Sequence, residues 1–316
     1  MRKIVVLDRI TLGTDLDISP LNSIGEVIVF DNTAASDVSK NISDSEIVII
    51  NKVKLTEDNL KPCKNIKLIC IAATGFDNID INYCKKNNIA VCNVKAYSTE
   101  SVTQLTIGMA LMLYCKLYNY QQYTKSGEYS LSGQANILTP VYHEICGKTW
   151  GIVGLGTIGK RVADIAKALG CNVIAYKRNI DDRYNCKDID YLLKNSDIIS
   201  VHLPLTNETR GLISQERISL LKQDAVFINV ARGAIVDEEA LCNAIINKSI
   251  GGIGIDVYST EPFIENSCFY TIKDYDNVIL TPHMAWGAFE ARKRCLEIII
   301  ENIKSFYNKE NFNRIV

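Results

Sequence analysis

The stretch Thr149-Trp150-Gly151-Ile152-Val153-Gly154-Leu155-Gly156-Thr157-Ile158-Gly159 decides how the rest of the chain is read. A short run rich in β-branched and aromatic residues leads straight into a G-x-G-x-x-G turn, and a helical pattern follows as far as Leu169. A lone glycine triplet says little, but strand, turn and helix in this order form a dinucleotide-binding fingerprint. Gly154 permits the tight turn, Gly156 lets the backbone approach a pyrophosphate, and Gly159 lets helix and strand pack closely. Thr157 and Ile158 open the helix. Its N-terminus offers unpaired N–H groups and the positive end of the helix dipole to the phosphates.

The next strand, expected over 172–177, ends in Lys177-Arg178. An acid about 20 residues past the glycines would hold the ribose 2′-hydroxyl of NAD. Two cations stand there instead, and Arg178 can fork onto a 2′-phosphate that a carboxylate would repel. The expected cofactor is therefore NAD(P)(H), with NADP(H) favoured over NAD(H). The alternative is that Lys177 and Arg178 are solvated and that Asp181 or Asp182 reaches back to serve NAD.

Outward from this unit, short β-branched runs alternate with helical patterns, the signature of parallel α/β folds. Strands are expected at 3–8, 26–30, 46–50, 67–72 and 89–92, then at 149–153, 172–177, 197–203, 225–230, 252–256 and 278–280. Thr56 suits the N-cap of a helix over 57–61. Val102, Leu105, Met109, Met112 and Leu113 recur at helical spacing after Ser98, and a last amphipathic helix is expected from about Trp286 to Phe306. The segment from Tyr118 to Gly147 reads as an extended loop at a subunit contact. The fold class is α/β: two Rossmann-like, doubly wound parallel-sheet domains, one inserted in the other. The substrate-binding domain takes residues 1–97 plus 287–316 and the nucleotide-binding domain 98–286. The two long helices are expected to bridge the domains.

Bulk properties narrow the class. The chain has 316 residues, 47% hydrophobic and 22% charged, with a formal net charge of -1. That charge gives no electrostatic case for nucleic acid or an anionic membrane. The apolar run after Met1 meets Asp8 too soon for a signal peptide, and no run reaches the roughly 18 apolar residues of a membrane span. Eleven cysteines with no C-x-x-C read as reduced thiols of a cytoplasmic protein, with no metal site.

Several further strings then carry a family resemblance. They are Ala73-Thr74-Gly75-Phe76-Asp77-Asn78-Ile79-Asp80, His202-Leu203-Pro204-Leu205-Thr206-Asn207-Glu208-Thr209, Asn229-Val230-Ala231-Arg232-Gly233, Asp256-Val257 with Glu261-Pro262, and Thr281-Pro282-His283. With the glycine turn they make the chain resemble the D-isomer-specific 2-hydroxyacid dehydrogenases over nearly its whole length. The resemblance implies hydride transfer between a nicotinamide and a small 2-keto or 2-hydroxy acid, in a homodimer formed through the nucleotide domain. It implies that Arg232 binds and polarises the substrate's carboxylate and keto oxygen, a bidentate task suited to a guanidinium. His283 would deliver and take the proton. Glu261 would hydrogen-bond the far ring nitrogen of His283, fix its tautomer and stabilise the imidazolium. Asp256 would face the nicotinamide carboxamide, Pro204 and Ala231 would line the cofactor cleft, and backbone N–H groups of Thr74 and Gly75 would hold the substrate carboxylate. His202 reads as structural and His143 as incidental.

The string Met284-Ala285-Trp286-Gly287-Ala288-Phe289-Glu290-Ala291-Arg292 resembles the glycerate dehydrogenase (hydroxypyruvate reductase) branch, as does Asn51-Lys52. Trp286 is thereby a candidate substrate contact. The expected substrate pair is hydroxypyruvate and D-glycerate, with glyoxylate secondary. A D-lactate-type or branched-chain 2-keto acid reductase is the alternative, and a non-catalytic dinucleotide-binding module a distant one. A carboxylate at position 261 argues against formate, and the length argues against the long phosphoglycerate dehydrogenases. Thr103-Gln104-Leu105 departs from the Ala-Glu-His or Ala-Gln-His of many relatives.

Overall fold

Runs such as Ile47-Val48-Ile49-Ile50 and Leu68-Ile69-Cys70-Ile71 are buried at every position. Continuous apolar strands belong to parallel sheets covered on both faces, and both sheets here are parallel throughout. The computed structural model describes residues 2–178 and 183–316, so Asp181 and Asp182 lie outside the described residues.

In chain order the first series is β1 (Lys3–Val6), β2 (Glu26–Val29), α1 (Val38–Ile42), β3 (Ile47–Ile50), α2 (Glu57–Leu60), β4 (Leu68–Ile71), α3 (Ile81–Lys86) and β5 (Ala90–Cys92). Next come α4 (Thr99–Tyr114), α5 (Leu117–Lys125), α6 (Glu128–Leu131), β6 (Thr149–Val153), α7 (Thr157–Ala168), β7 (Asn172–Tyr176) and β8 (Asn185–Cys186). Then α8 (Ile189–Asn195), β9 (Ile198–Val201), α9 (Gln215–Ile218), β10 (Val226–Asn229), α10 (Glu238–Ile246), β11 (Gly252–Ile255), α11 (Cys268–Ile272), β12 (Val278–Leu280) and α12 (Phe289–Tyr307) follow.

The chain divides into two compact units: the residues through Ser98 with Gly287–Val316, and Thr99–Trp286. The first has the sheet order β2-β1-β3-β4-β5. The second has β12-β11-β10-β9-β6-β7-β8, whose order reverses between β6 and β9. In open α/β sheets the crevice at such a reversal, beyond the strands' C-terminal ends, is where ligands bind.

Local signals start the helices where they stand. Thr56 and Asn59 form a capping box on α2, and Asp80, Asp188 and Asp237 accept from the first-turn N–H groups of α3, α8 and α10. In α4, Val102, Met109 and Leu113 are buried while Leu105 and Met112 are only partly so. In the first unit, α12 packs on β4 and buries Cys295 and Ile299. It begins at Phe289 rather than near Trp286, with Ala288 as its N-cap. Beyond it, Ile315 N–H donates to Val91 O (2.7 Å) and Val91 N–H to Val316 O (3.3 Å). The buried Asn302 of α12 donates to Asn93 O at 2.9 Å and accepts from Asn313 at 3.1 Å. The chain's last residues thus finish the edge of the first sheet.

The structure corrects two expectations. The segment from Tyr118 to Gly147 is not one extended loop: α5 and α6 occupy its first part, and irregular backbone follows. No residue of α5 is buried, so it lacks the apolar stripe by which a sequence pattern reveals a helix. Most strands also stop one or two residues short of their expected C-terminal ends, as at Val201 rather than Leu203. Backbone there leaves the ladder to form the loops described next.

Candidate active site

The glycine turn follows β6 within the second unit. Gly154 has φ +107°, and its N–H donates to Tyr176 O at 3.0 Å, binding the turn to the end of β7. A Cβ on Gly159 would lie 1.9 Å from Gly154 O, so only glycine lets α7 start this close to the strand. A Cβ on Gly156 would meet nothing within 4 Å. Open space at Gly156, ahead of the unpaired first-turn N–H groups of α7 from Thr157 and Ile158 onward, fits a pyrophosphate. Lys177 and Arg178 follow Tyr176 directly, beside this turn, and Arg178 is close enough to Glu208 to help lower its carboxyl pKa, after the hydrogen bond from Thr206.

Across the reversal, the backbone of His202 closes on the same turn. Its N–H donates to Val153 O at 2.8 Å, and its carbonyl would lie 2.9 Å from a Cβ on Gly154. Ser200 Oγ accepts from Trp150 Nε1 (3.0 Å) and hydrogen-bonds His202 Nε2 (2.9 Å). Burial pushes the His202 pKa down to about 3, so this ring is neutral at physiological pH and unsuited to acid–base work. Pro204, two residues on, is exposed.

Arg232 stands just past β10 in a turn folded by one side chain. Asn229 donates to Arg232 O (3.0 Å) and accepts from Ala231 N–H (3.0 Å). Ala231 is buried and Arg232 half-buried, with Nη1 donating to Ala231 O at 2.7 Å. A Cβ on Gly233 would lie 2.1 Å from the Tyr258 carbonyl carbon and 2.2 Å from Ser259 N. Gly233 therefore lets the arginine turn lie against the segment that carries Glu261. Glu238 holds that segment as well, accepting from Ser259 N–H at 2.7 Å.

Glu261 is used at both oxygens. Oε1 accepts from Tyr258 N–H at 3.1 Å, and Oε2 is 2.7 Å from Nδ1 of His283. Glu261 thus holds the ring of His283 at Nδ1. His283 itself has φ +53°, the left-handed region that costs a non-glycine residue about 1–2 kcal/mol. Asp256 holds the loop in that state. Its fully buried carboxylate accepts from Thr281 Oγ1 (2.6 Å), Met284 N–H (2.8 Å) and Ala285 N–H (2.9 Å). Burial raises its pKa, with the bonds from Thr281, Ala285 and Met284 opposing.

Two of the expected site residues also shape this loop. Asp256 fastens it, Oδ1 accepting two of the three donors and Oδ2 one. Trp286 donates its indole N–H to His283 O at 3.0 Å, so its polar edge is turned to the histidine's backbone. Motif reading also passed over Asn229, Gly233 and Thr281 as working parts. All three lie inside the quoted strings, but only coordinates show what they touch.

Arg232, Glu261 and His283 thus lie in one unit, as do the glycine turn, Lys177 and Arg178. Thr74 and Gly75 follow β4 in the other. There Thr74 Oγ1 donates to Val94 O (2.8 Å) and Asn93 donates to Thr74 O (2.7 Å), fixing that loop. Among the described residues no three His, Cys, Asp or Glu side chains are grouped to hold a metal ion. No helix among them is long and apolar enough to cross a membrane.

Known proteins resemble this chain over nearly its whole length. The family described as D-isomer specific 2-hydroxyacid dehydrogenase, NAD binding domain, matches residues 107–285. A hydroxypyruvate reductase of Blautia hydrogenotrophica is 34% identical over 313 residues, covering 96% of each chain. A glycerate dehydrogenase of Methylorubrum extorquens is 33% identical over 306 residues, again covering 96% of each. Among solved structures, an acyclic imino acid reductase in complex with NADPH and D-Arg superposes with a TM-score of 0.87 at 30% identity, covering 99% of this chain and 100% of that one.

Replacing Asp256 with Asn keeps the shape but turns an amide NH₂ toward one of the three donors. Leaving a buried N–H without an acceptor costs about 1–3 kcal/mol. Thermal unfolding should shift down, and kcat for 2-keto acid reduction should fall by about tenfold or more as His283 drifts from its place. A change confined to the KM for the cofactor would return Asp256 to the cofactor instead.

Proposed function

The chain belongs to the D-isomer-specific 2-hydroxyacid dehydrogenases, and we propose that it reduces hydroxypyruvate to D-glycerate, with glyoxylate as a secondary substrate and NADPH preferred over NADH. The 2.7 Å contact between Glu261 and Nδ1 of His283 carries the reading, because a carboxylate that holds one ring nitrogen fixes the tautomer and orientation of an acid–base imidazole. The names of the two relatives above and the Trp286 and Asn51-Lys52 strings support the substrate.

The chemistry divides among the residues. The nicotinamide, when bound, supplies the hydride that reduces the 2-carbon. Arg232 pairs with the substrate's carboxylate and draws electron density toward its keto oxygen. His283 delivers its Nε2 proton to that oxygen and takes it back in the reverse direction. Glu261 holds the ring through Nδ1 and balances the charge of the imidazolium. Gly154, Gly156, Thr157, Ile158 and Gly159 receive the pyrophosphate, while Pro204 and Ala231 line the cofactor cleft. We assign the substrate carboxylate further donors in the backbone N–H groups of Thr74 and Gly75.

Lys177 and Arg178 support NADP, since they follow the strand whose last carbonyl binds Gly154. The exposed apolar side chains of the segment after α4 support a homodimer. Leu131 is 88% exposed, Leu138 75% and Val141 68%, with Tyr129 and Tyr142 nearby in sequence. An apolar series of this kind is a mark of protein contact. Eleven cysteines, none of them in a disulfide, fit the cytoplasm, a reducing compartment.

Three measurements test these assignments. Arg232→Ala and His283→Ala should each lower kcat/KM for hydroxypyruvate by several orders of magnitude, while cofactor binding stays near that of the parent. Retention of a tenth of the activity by either would remove its role. In the parent, kcat/KM should favour NADPH over NADH by about tenfold or more, and Arg178→Ala should erase most of that ratio, since a charge-assisted bond contributes about 1.5–3 kcal/mol. A tenfold preference for NADH would end the NADP reading. Light scattering should give a dimer mass for the parent and a monomer for Leu131→Glu, whereas a monomeric parent would rule out the dimer.

A further inference from the structure

Tyr258 ties together the two loops that carry Glu261 and His283. It is buried, and both of its hydrogen-bond donors are used. Its N–H donates to Glu261 Oε1 at 3.1 Å, and its phenol donates to Thr281 O at 3.0 Å. A second carbonyl, Ile255 O, stands farther from the phenol at 3.4 Å. One residue thus holds the carboxylate by its backbone and the histidine loop by its side chain.

Thr281 O is the atom on which the histidine turn closes. The same oxygen accepts from His283 N–H at 3.0 Å, across Pro282, and His283 there has φ +53°. Thr281 N–H donates to Ile255 O at 2.9 Å and its hydroxyl to Asp256, which seats the turn on the end of β11. The phenol adds a tie from this turn to the segment bearing Glu261. That tie joins the two sides of the 2.7 Å contact between Glu261 and His283 by a separate route.

The ring is fixed and its proton is kept. Phe263 packs against it with centroids 4.8 Å apart, and Phe269 at 5.3 Å with the planes at 77°. Burial, with the charges of Asp256 and Glu261, raises the phenol's pKa above its ordinary value. The hydroxyl therefore stays a donor at neutral and mildly alkaline pH.

We propose that Tyr258 is a positioning residue for the reaction: its phenol, bound to Thr281 O, keeps the His283 ring in register with Glu261 during proton transfer. Small displacements of an acid–base group cost rate steeply, and a turn held at Thr281 O limits them. The phenol's hydrogen is spent on a backbone carbonyl, so the tyrosine acts through His283 rather than on the substrate. The proposal rests on the acid–base reading of His283 and Glu261 given above.

Tyr258→Phe keeps the ring packing and removes the phenol's hydrogen bond. In the full-length protein, kcat for glyoxylate reduction should fall about three- to tenfold, as the loss of one hydrogen bond allows, with KM for glyoxylate and for the cofactor within about twofold of the parent. A tyrosine of merely structural use would lower the unfolding temperature and leave the kcat of the folded protein unchanged, and that result overturns the proposal. Glu261→Ala completes a double-mutant cycle. Without the carboxylate there is no register to keep, so Tyr258→Phe should then cost less than about twofold. An equal fold loss in both backgrounds also overturns the proposal. His283→Ala separates the two ways of failing. Activity lost by orders of magnitude in His283→Ala, beside a parental kcat in Tyr258→Phe, removes the tyrosine assignment alone. Retention of about a tenth of the activity by His283→Ala removes the acid–base reading and the proposal with it.

Discussion

The carboxylate of Asp256, buried past the end of β11 and accepting three hydrogen bonds from the 281–285 loop, is the interaction on which the site depends. A carboxylate without partners in such a place would be costly. With donors from Thr281, Met284 and Ala285 it becomes a rigid post. The benefit appears at His283, whose left-handed backbone is unfavourable alone. Hydrogen bonds to a charged group are worth about 1.5–3 kcal/mol each, enough to hold one residue against a strain of about 1–2 kcal/mol. The imidazole is aimed by its neighbours' backbone as much as by Glu261.

The other working parts obey the same geometry. Gly154, Lys177, His202, Arg232, Asp256 and His283 each lie within a few residues of the C-terminal end of a strand in one seven-stranded parallel sheet. Consecutive strand ends in a parallel sheet present their loops side by side, so residues distant in sequence converge. Close approach then supplies the finer spacing. Gly233 lets the arginine turn touch the Tyr258–Ser259 backbone, and Gly159 seats α7 on Gly154. A methyl group at either place would push apart two halves of the machinery.

Much of this was legible before any coordinates. Strand runs buried on both faces, the glycine turn and the Asp caps each announce themselves through local chemistry. Residue types at the site were legible too, because an arginine, a carboxylate and a histidine in motif strings limit the chemistry they can do. Orientation was not. Nothing in Asp256-Val257 tells whether the carboxylate faces a ligand or turns inward, and Trp286 reads equally as a substrate contact or a backbone anchor. Helix α5 escaped for a different reason: it buries no stripe against its own unit, so its pattern carries no period to find.

The first unit is assembled from both ends of the chain, with Asn302 of α12 and the last residues closing the edge at β5. During synthesis, residues 99–286 leave the ribosome complete before residues 287–316 appear. The inserted unit can fold as it emerges, while the earlier-made β1–β5 sheet must wait with an open edge. Parallel strands and distant contacts are slow to form and leave exposed edges meanwhile. The order of translation therefore runs opposite to the order in which the two units can be finished, and the first-made residues 1–98 are the ones most in need of chaperone cover.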